Sequence, residues 1–167
     1  MRIDEITKKR DEKTLYVCRH LLNTDDVKEW AREQGFETCV PDDMMHVTVI
    51  HSKQEVDWGK TEPLEDDIEV KKKKNHPRSL QKFGEKKDIV VLTFYSKELS
   101  ERHKELRDIG CSFDYPEYKA HITITYDGKD IDIAGMEPYE GKLEFGPETF
   151  DEINDDFKES FEEEKLD

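Results

Sequence analysis

The order of patterned segments in this chain occurs twice, and that repeat restricts the fold more than any single motif does. Residues 14–22 have the β-branched and aromatic content of a strand with alternating faces. Asn23 or Thr24 can cap a helix, Asp25 and Asp26 suit its positive end, and Val27, Trp30 and Ala31 follow at helical spacing. Gly35 supplies the stop, and a loop with Pro41 leads to a second strand at 45–50. The same order then recurs. Residues 88–95 read as a strand, Ser96 as a cap, Leu99, Leu106 and Ile109 as an apolar helical stripe, and Gly110 as the stop. A loop with Pro116 leads to a strand at 120–126. In both halves the helix-ending glycine lies eleven residues before the histidine of an H-x-T triplet: Gly35 before His46, and Gly110 before His121. Element order, terminator and motif recur together, as in a degenerate internal duplication of a β-α-β unit.

Each triplet carries chemistry because side chains alternate along a strand. Simple alternation puts His46, Thr48 and Ile50 on one face, and His121, Thr123 and Thr125 on one face of the second motif. It puts His51 on the face opposite His46. Two imidazoles on equivalent strands of related lobes, facing a shared cleft, are what phosphoester cleavage needs. One acts as general base on the attacking oxygen and the other as general acid on the leaving oxygen, near their ordinary pKa of about 6.5. The threonines can donate to the non-bridging oxygens as charge builds. No dense carboxylate or Cys/His cluster points to a metal, and no cofactor is expected. Cys18, Cys39 and Cys111 are too widely spaced for a zinc site and are expected to be reduced, buried thiols.

Charge narrows the ligand. The chain carries a net −15, but residues 130–167 hold −12 of it and residues 1–129 only −3, with a basic run at 71–74. Long nucleic acid is a poor partner for such a surface; a small anion held by a few donors is compatible with it. No apolar run approaches the ~20 residues of a membrane-spanning helix, and the charged start lacks a secretory core, so a cytoplasmic protein is expected. We expect one α+β domain over 1–167, its lobes at roughly 14–52 and 88–127 plus a C-terminal strand near Leu143 and Phe145. Residues 53–87 are expected to be a loop or lid. An acidic tail at 151–167 is expected to be helical, with Ile153, Phe157 and Phe161 on one face.

With its two H-x-T motifs the sequence resembles the 2H phosphoesterase superfamily, whose duplicated α+β fold has antiparallel sheets lining a central cleft. Residues 14–19 (TLYVCR), 46–52 (HVTVIHS), 56–58 (VDW), 101–103 (ERH), 121–126 (HITITY) and 146–148 (GPE) are similar to the phage anti-CBASS phosphodiesterases. The resemblance extends from about residue 14 to 153. It implies a viral hydrolase of phosphoric diester bonds, active in the infected bacterial cell. Its substrates are cyclic di- and trinucleotide messengers such as 3′,3′-cyclic GMP–AMP, cleaved at 3′–5′ bonds without metal, which silences host defence. The ribose 2′-hydroxyl is the implied nucleophile and a 2′,3′-cyclic phosphate the implied intermediate. Carried over residue by residue, His46 and His121 are the catalytic pair, and Thr48 and Thr123 hold phosphate. Tyr16 and Phe83 match the aromatic residues that sandwich a base, Phe83 standing where related sequences can carry tryptophan. Glu148 matches a polar contact to a nucleobase. Two other readings fit the same sequence: an RNA 2′,3′-cyclic phosphodiesterase or 2′–5′ RNA ligase, and a sponge that binds a cyclic nucleotide without cleaving it.

Overall fold

The computed structural model describes residues 12–153 and 162–166. In chain order the elements are β1 (Glu12–Leu21), α1 (Thr24–Gln34), β2 (Thr38–Cys39), β3 (His46–Asp57), β4 (Ile68–Val70) and β5 (Ser79–Phe83). They continue with β6 (Ile89–Thr93), α2 (Lys97–Asp108), β7 (His121–Thr125), β8 (Leu143–Asp151) and β9 (Glu164–Lys165). Seven strands form one antiparallel sheet in the order β4-β8-β1-β3-β7-β6-β5. The duplication predicted from spacing is present as β1-α1-β3 and β6-α2-β7. The halves do not stand as two separate sheets. β3 and β7 join at the single pair Val47 and Ile122, which makes a seam through the middle of the sheet.

The helix boundaries follow the local chemistry. Gly35 ends α1 at φ 99°, its N–H bonded to the Arg32 carbonyl, and Gly110 lies just beyond α2 at φ 114°. A side chain at either φ would be strained. Ser96 caps α2 by accepting from the Leu99 N–H. Both helices cover one face of the sheet. Val27, Trp30 and Ala31 of α1 and Leu99 and Leu106 of α2 share a buried cluster with Val17, Val47, Val49, Leu92, Ile122 and Ile124. That face is mainly apolar, with Arg19, Thr125 and Glu148 as buried exceptions, and the opposite face carries the motif residues.

Alternation fails at an equivalent point just after the triplet in each motif strand, and in the same way. β1 pairs Cys18 with Thr48 but Val17 with Ile50, so β3 carries an extra residue there. β6 pairs Val91 with Thr123 but Val90 with Thr125, so β7 carries an extra residue at the equivalent place. A bulge of this kind turns every following side chain over. Ile50 and Thr125 therefore leave the motif face, and both are fully buried. His51 crosses to the motif face, opposite Tyr16, against the expectation from strict alternation.

Residues 53–87 are not a free lid. β3 continues to Asp57, β4 pairs with β8 at one edge of the sheet, and β5 pairs with β6 at the other. Buried Arg78 secures the crossing segment by donating to the carbonyls of Val70, Tyr139 and Gly141. In the lysine run, Lys71 pairs with Glu69 and Lys72 with Glu140. At residues 162–166 the acidic tail is tied to the fold. Glu163 accepts from Thr38, Thr125 and the Tyr126 N–H, β9 pairs with β2, and Leu166 is buried. Phe157 and Phe161 lie outside the described residues. Among those described, no helix is long and apolar enough to cross a membrane, and all three cysteines are buried free thiols.

Candidate active site

The seam brings the two triplets together on the face that the helices leave open. In the two triplets Val47, Val49, Ile122 and Ile124 are buried, while His46, Thr48, His121 and Thr123 between them are half-buried. The two histidines are held alike. His46 Nδ1 lies 2.9 Å from the Met44 carbonyl, and His121 Nδ1 lies 2.9 Å from the Lys119 carbonyl. A carbonyl can only accept, so Nδ1 carries the proton in each ring and Nε2 is left for chemistry. The equivalence extends to the backbone: each anchoring carbonyl is two residues before its histidine.

The surroundings of the two rings differ. Tyr16 reaches across from β1, and its hydroxyl is 2.9 Å from both His46 Nε2 and Thr48 Oγ1. Burial pushes the Tyr16 phenol up to about 12, so it is a neutral donor at ordinary pH. The order of donation is Thr48 to Tyr16 to a neutral His46. His20 is paired directly with His46, ring centres 6.0 Å apart. Burial pushes His46 below the usual histidine value; its bond to the Met44 carbonyl opposes this, and positive charge on His20 or His121 adds to the depression. His46 is therefore set to be neutral. The His121 anchoring bond lies at the surface, with the Phe83 ring edge-on at 5.7 Å.

Tyr16 beside His46 and Phe83 beside His121 put one aromatic ring at each motif. Phe83 is 39% exposed, enough for a ring face to meet a ligand. Glu148 is a different matter. It pairs with Arg19 in the sheet, on the helix face, and its side chain is 0% exposed. Both carboxylate oxygens accept from Arg102 of α2 at 3.0–3.2 Å, and Oε1 also accepts from the Leu64 N–H. In this fold Glu148 ties α2 to the sheet and cannot reach a base over the motif face. Thr149 is paired with Cys18 on the motif face, so Glu148, one residue earlier, points the other way.

Sequence reasoning passed over four contributors. His20 and His51 are on the motif face, and His51 meets Tyr16 edge-on at 5.5 Å. Tyr118 donates to the Thr48 carbonyl at 2.7 Å, tying the first motif to the loop that leads into the second. His103 is buried behind β3, where its Nδ1 bonds the Val49 carbonyl and its ring stacks on Tyr118. Pairing His20 and His51 with motif residues needed strand register, which spacing does not give. Among the described residues no three His, Cys, Asp or Glu side chains converge as a metal site.

This sheet, with two anchored histidines at its seam, has the fold of the 2H phosphoesterases. A solved phosphoesterase superposes with a TM-score of 0.56 at 14% identity, covering 83% of this chain and 87% of that one. Escherichia coli LigT complexed with NADP+ gives 0.55 at 13% identity, covering 83% and 86%. Within that fold, the chain belongs to the family described as anti-CBASS protein Acb1, which matches residues 13–160. Relatives bearing that name occur in Sphingomonas paeninsulae, 44% identical over 148 residues and 86% of this chain, and in Caulobacter sp. (strain RHG1), 41% identical over 152 residues and 89% of this chain. The chain spans about a quarter of the length of each, 24%. A relative of the same name from Escherichia phage RB16 is 25% identical, and the match covers 74% of its length.

Proposed function

We propose that this protein is an anti-defence phosphodiesterase that cleaves 3′–5′ bonds of cyclic oligonucleotides, with His46 as general base and His121 as general acid. The observation that carries this reading is the pair of Nδ1-anchored histidines at one seam, each left with Nε2 as its proton-transfer atom. In His46 that atom accepts from Tyr16 until a substrate hydroxyl replaces it. The family's name supports the biological role, and the aromatic ring at each motif supports a nucleotide as ligand.

In the proposed first step the ribose 2′-hydroxyl gives its proton to His46 Nε2 as its oxygen bonds to phosphorus. The bond from phosphorus to the 5′-oxygen breaks, and that oxygen takes the proton from His121 Nε2. The product is a linear nucleotide ending in a 2′,3′-cyclic phosphate. Hydrolysis reverses the roles: His121 accepts a proton from water as the water oxygen bonds to phosphorus. The bond from phosphorus to the 2′-oxygen breaks, and His46 returns a proton to that oxygen, leaving a 3′-phosphate. Thr123 donates to a non-bridging oxygen, where negative charge is greatest, and Thr48 does the same once its hydroxyl turns from Tyr16 to the bound phosphate. No step requires a metal.

Incubating the protein with a panel of cyclic di- and trinucleotides in excess EDTA, and resolving products by chromatography, tests the reading. We expect linear products from the cyclic substrates. Tight binding with complete recovery of the messenger would establish the sponge instead, and turnover confined to linear RNA would establish the RNA-processing enzyme.

Assigning His46 as base has a consequence for pH. The base acts in its neutral form, so a depressed pKa extends activity to lower pH than an ordinary histidine near about 6.5 would allow. The groups facing its ring are Tyr16 and His20 from β1 and His121 from β7. His20→Asn removes one positive neighbour, His46 takes up its proton more readily, and the acidic limb of the kcat/KM profile is expected to move to higher pH. A limb that stays in place, or moves to lower pH, assigns that ionisation to another group.

A further inference from the structure

Beyond the histidine pair, the open face of the sheet leads into a cavity of ≈ 300 Å³ that the proposed chemistry does not use. It is lined by Asn75, His76, Gln81, Thr93, Tyr95 and Lys119, among others. Its position is set against the strand that carries His121. Thr93 is paired directly with His121, and the Lys119 carbonyl is the one that holds His121 Nδ1. Gln81 stands two residues before Phe83 on β5 and shares its face. One continuous surface therefore runs from Phe83, at the edge of His121, to this cavity.

The lining is that of a nucleobase site. The rings of His76 and Tyr95 are stacked at 3.9 Å and 15°, and Tyr95 is 36% exposed. A flat aromatic wall accepts the face of any base. Asn75 and Gln81 bring amide groups that both donate and accept, which is what reading the edge of a base requires. Lys119 adds positive charge for a phosphate. The volume is at the lower end of the range for small-molecule pockets and fits one nucleoside rather than a whole cyclic dinucleotide.

We propose that this cavity is a second nucleotide subsite, and that it takes the nucleoside whose 5′-oxygen departs. The proposal rests on the phosphodiesterase reading, because the general acid is the group that meets the leaving oxygen. The nucleoside attached to that oxygen must lie beside His121, and the cavity opens there. Tyr16, on the other side of the seam, faces the nucleoside that supplies the attacking hydroxyl. Selectivity for the two bases is then divided between two separate walls of the site.

The test compares two substrates: 3′,3′-cyclic GMP–AMP, and a nucleoside 2′,3′-cyclic monophosphate, which has no leaving nucleoside. Tyr95→Leu and His76→Ala are each expected to lower the ratio of kcat/KM for the dinucleotide over the mononucleotide at least ~10-fold, in line with the loss of one base–aromatic stack. The loss should fall on KM. An unchanged ratio, or an equal loss on both substrates, overturns the subsite. Calorimetric binding of intact 3′,3′-cyclic GMP–AMP to His121→Ala protein, with and without Tyr95→Leu, makes the comparison without turnover. Binding weakened at least ~10-fold by Tyr95→Leu supports the subsite even if the wild type proves not to cleave; equal affinities overturn it.

Discussion

His46→Ala and His121→Ala are each expected to lower turnover of a cyclic dinucleotide at least ~10²-fold, the lower end of what a positioned acid or base contributes. The loss belongs in kcat, since neither ring is asked to hold the substrate in its ground state. The double variant is expected to be little worse than the more damaging single one, because removing either partner already disables the concerted proton transfer. Either single variant retaining more than about a tenth of wild-type kcat/KM would end the two-histidine assignment. Thermal melts of the variants make the comparison fair. His121 is at the surface and its loss should leave the fold intact, whereas His46 also accepts from Tyr16.

The second large effect is on stability. Glu148→Ala leaves Arg102 buried, its charge no longer met by the carboxylate that accepts three of its contacts. Breaking a buried pair from one side costs about 3–5 kcal/mol. For a chain of this size that is a fall in Tm of roughly 6–20 °C. Arg102→Met combined with Glu148→Leu should recover much of the loss, since an apolar pair fills the space without a stranded charge. A Glu148→Ala protein with unchanged Tm and a raised KM would instead mark Glu148 as a ligand contact.

That contrast shows where sequence reading is strong and where it stops. The duplicated order, both helix stops and both triplets were legible because each depends on local chemistry: a glycine at positive φ, a serine cap, an alternating run. The histidine pair was legible because the same context surrounds both rings. Glu148 was misread because its neighbours in sequence say nothing about which face β8 shows to α2; Arg102 lies 46 residues away. His51 was misread because a bulge is set by register between strands, and one inserted residue reverses everything after it. The segment 53–87 was polar enough to pass for a lid, yet it supplies both edges of the sheet. Edge strands are half-solvated and short, so they lack the apolar run that makes a central strand such as β6 conspicuous.

The seam also has a consequence for how the chain is made. Each half is completed by an outer strand, β5 against β6 and β8 against β1. In the second half the outer strand comes first, so residues 79–125 can close on themselves through local hairpin and helix contacts. In the first half the outer strand comes last, and β1 waits for residues 143–151 before its second edge is paired. Contacts so distant in sequence are slow to form. On a ribosome, the half bearing His121 is expected to be native while the half bearing His46 is still open along β1. The proton donor of the proposed reaction is thus finished before its acceptor, and the proposed site is complete only when the last long strand docks.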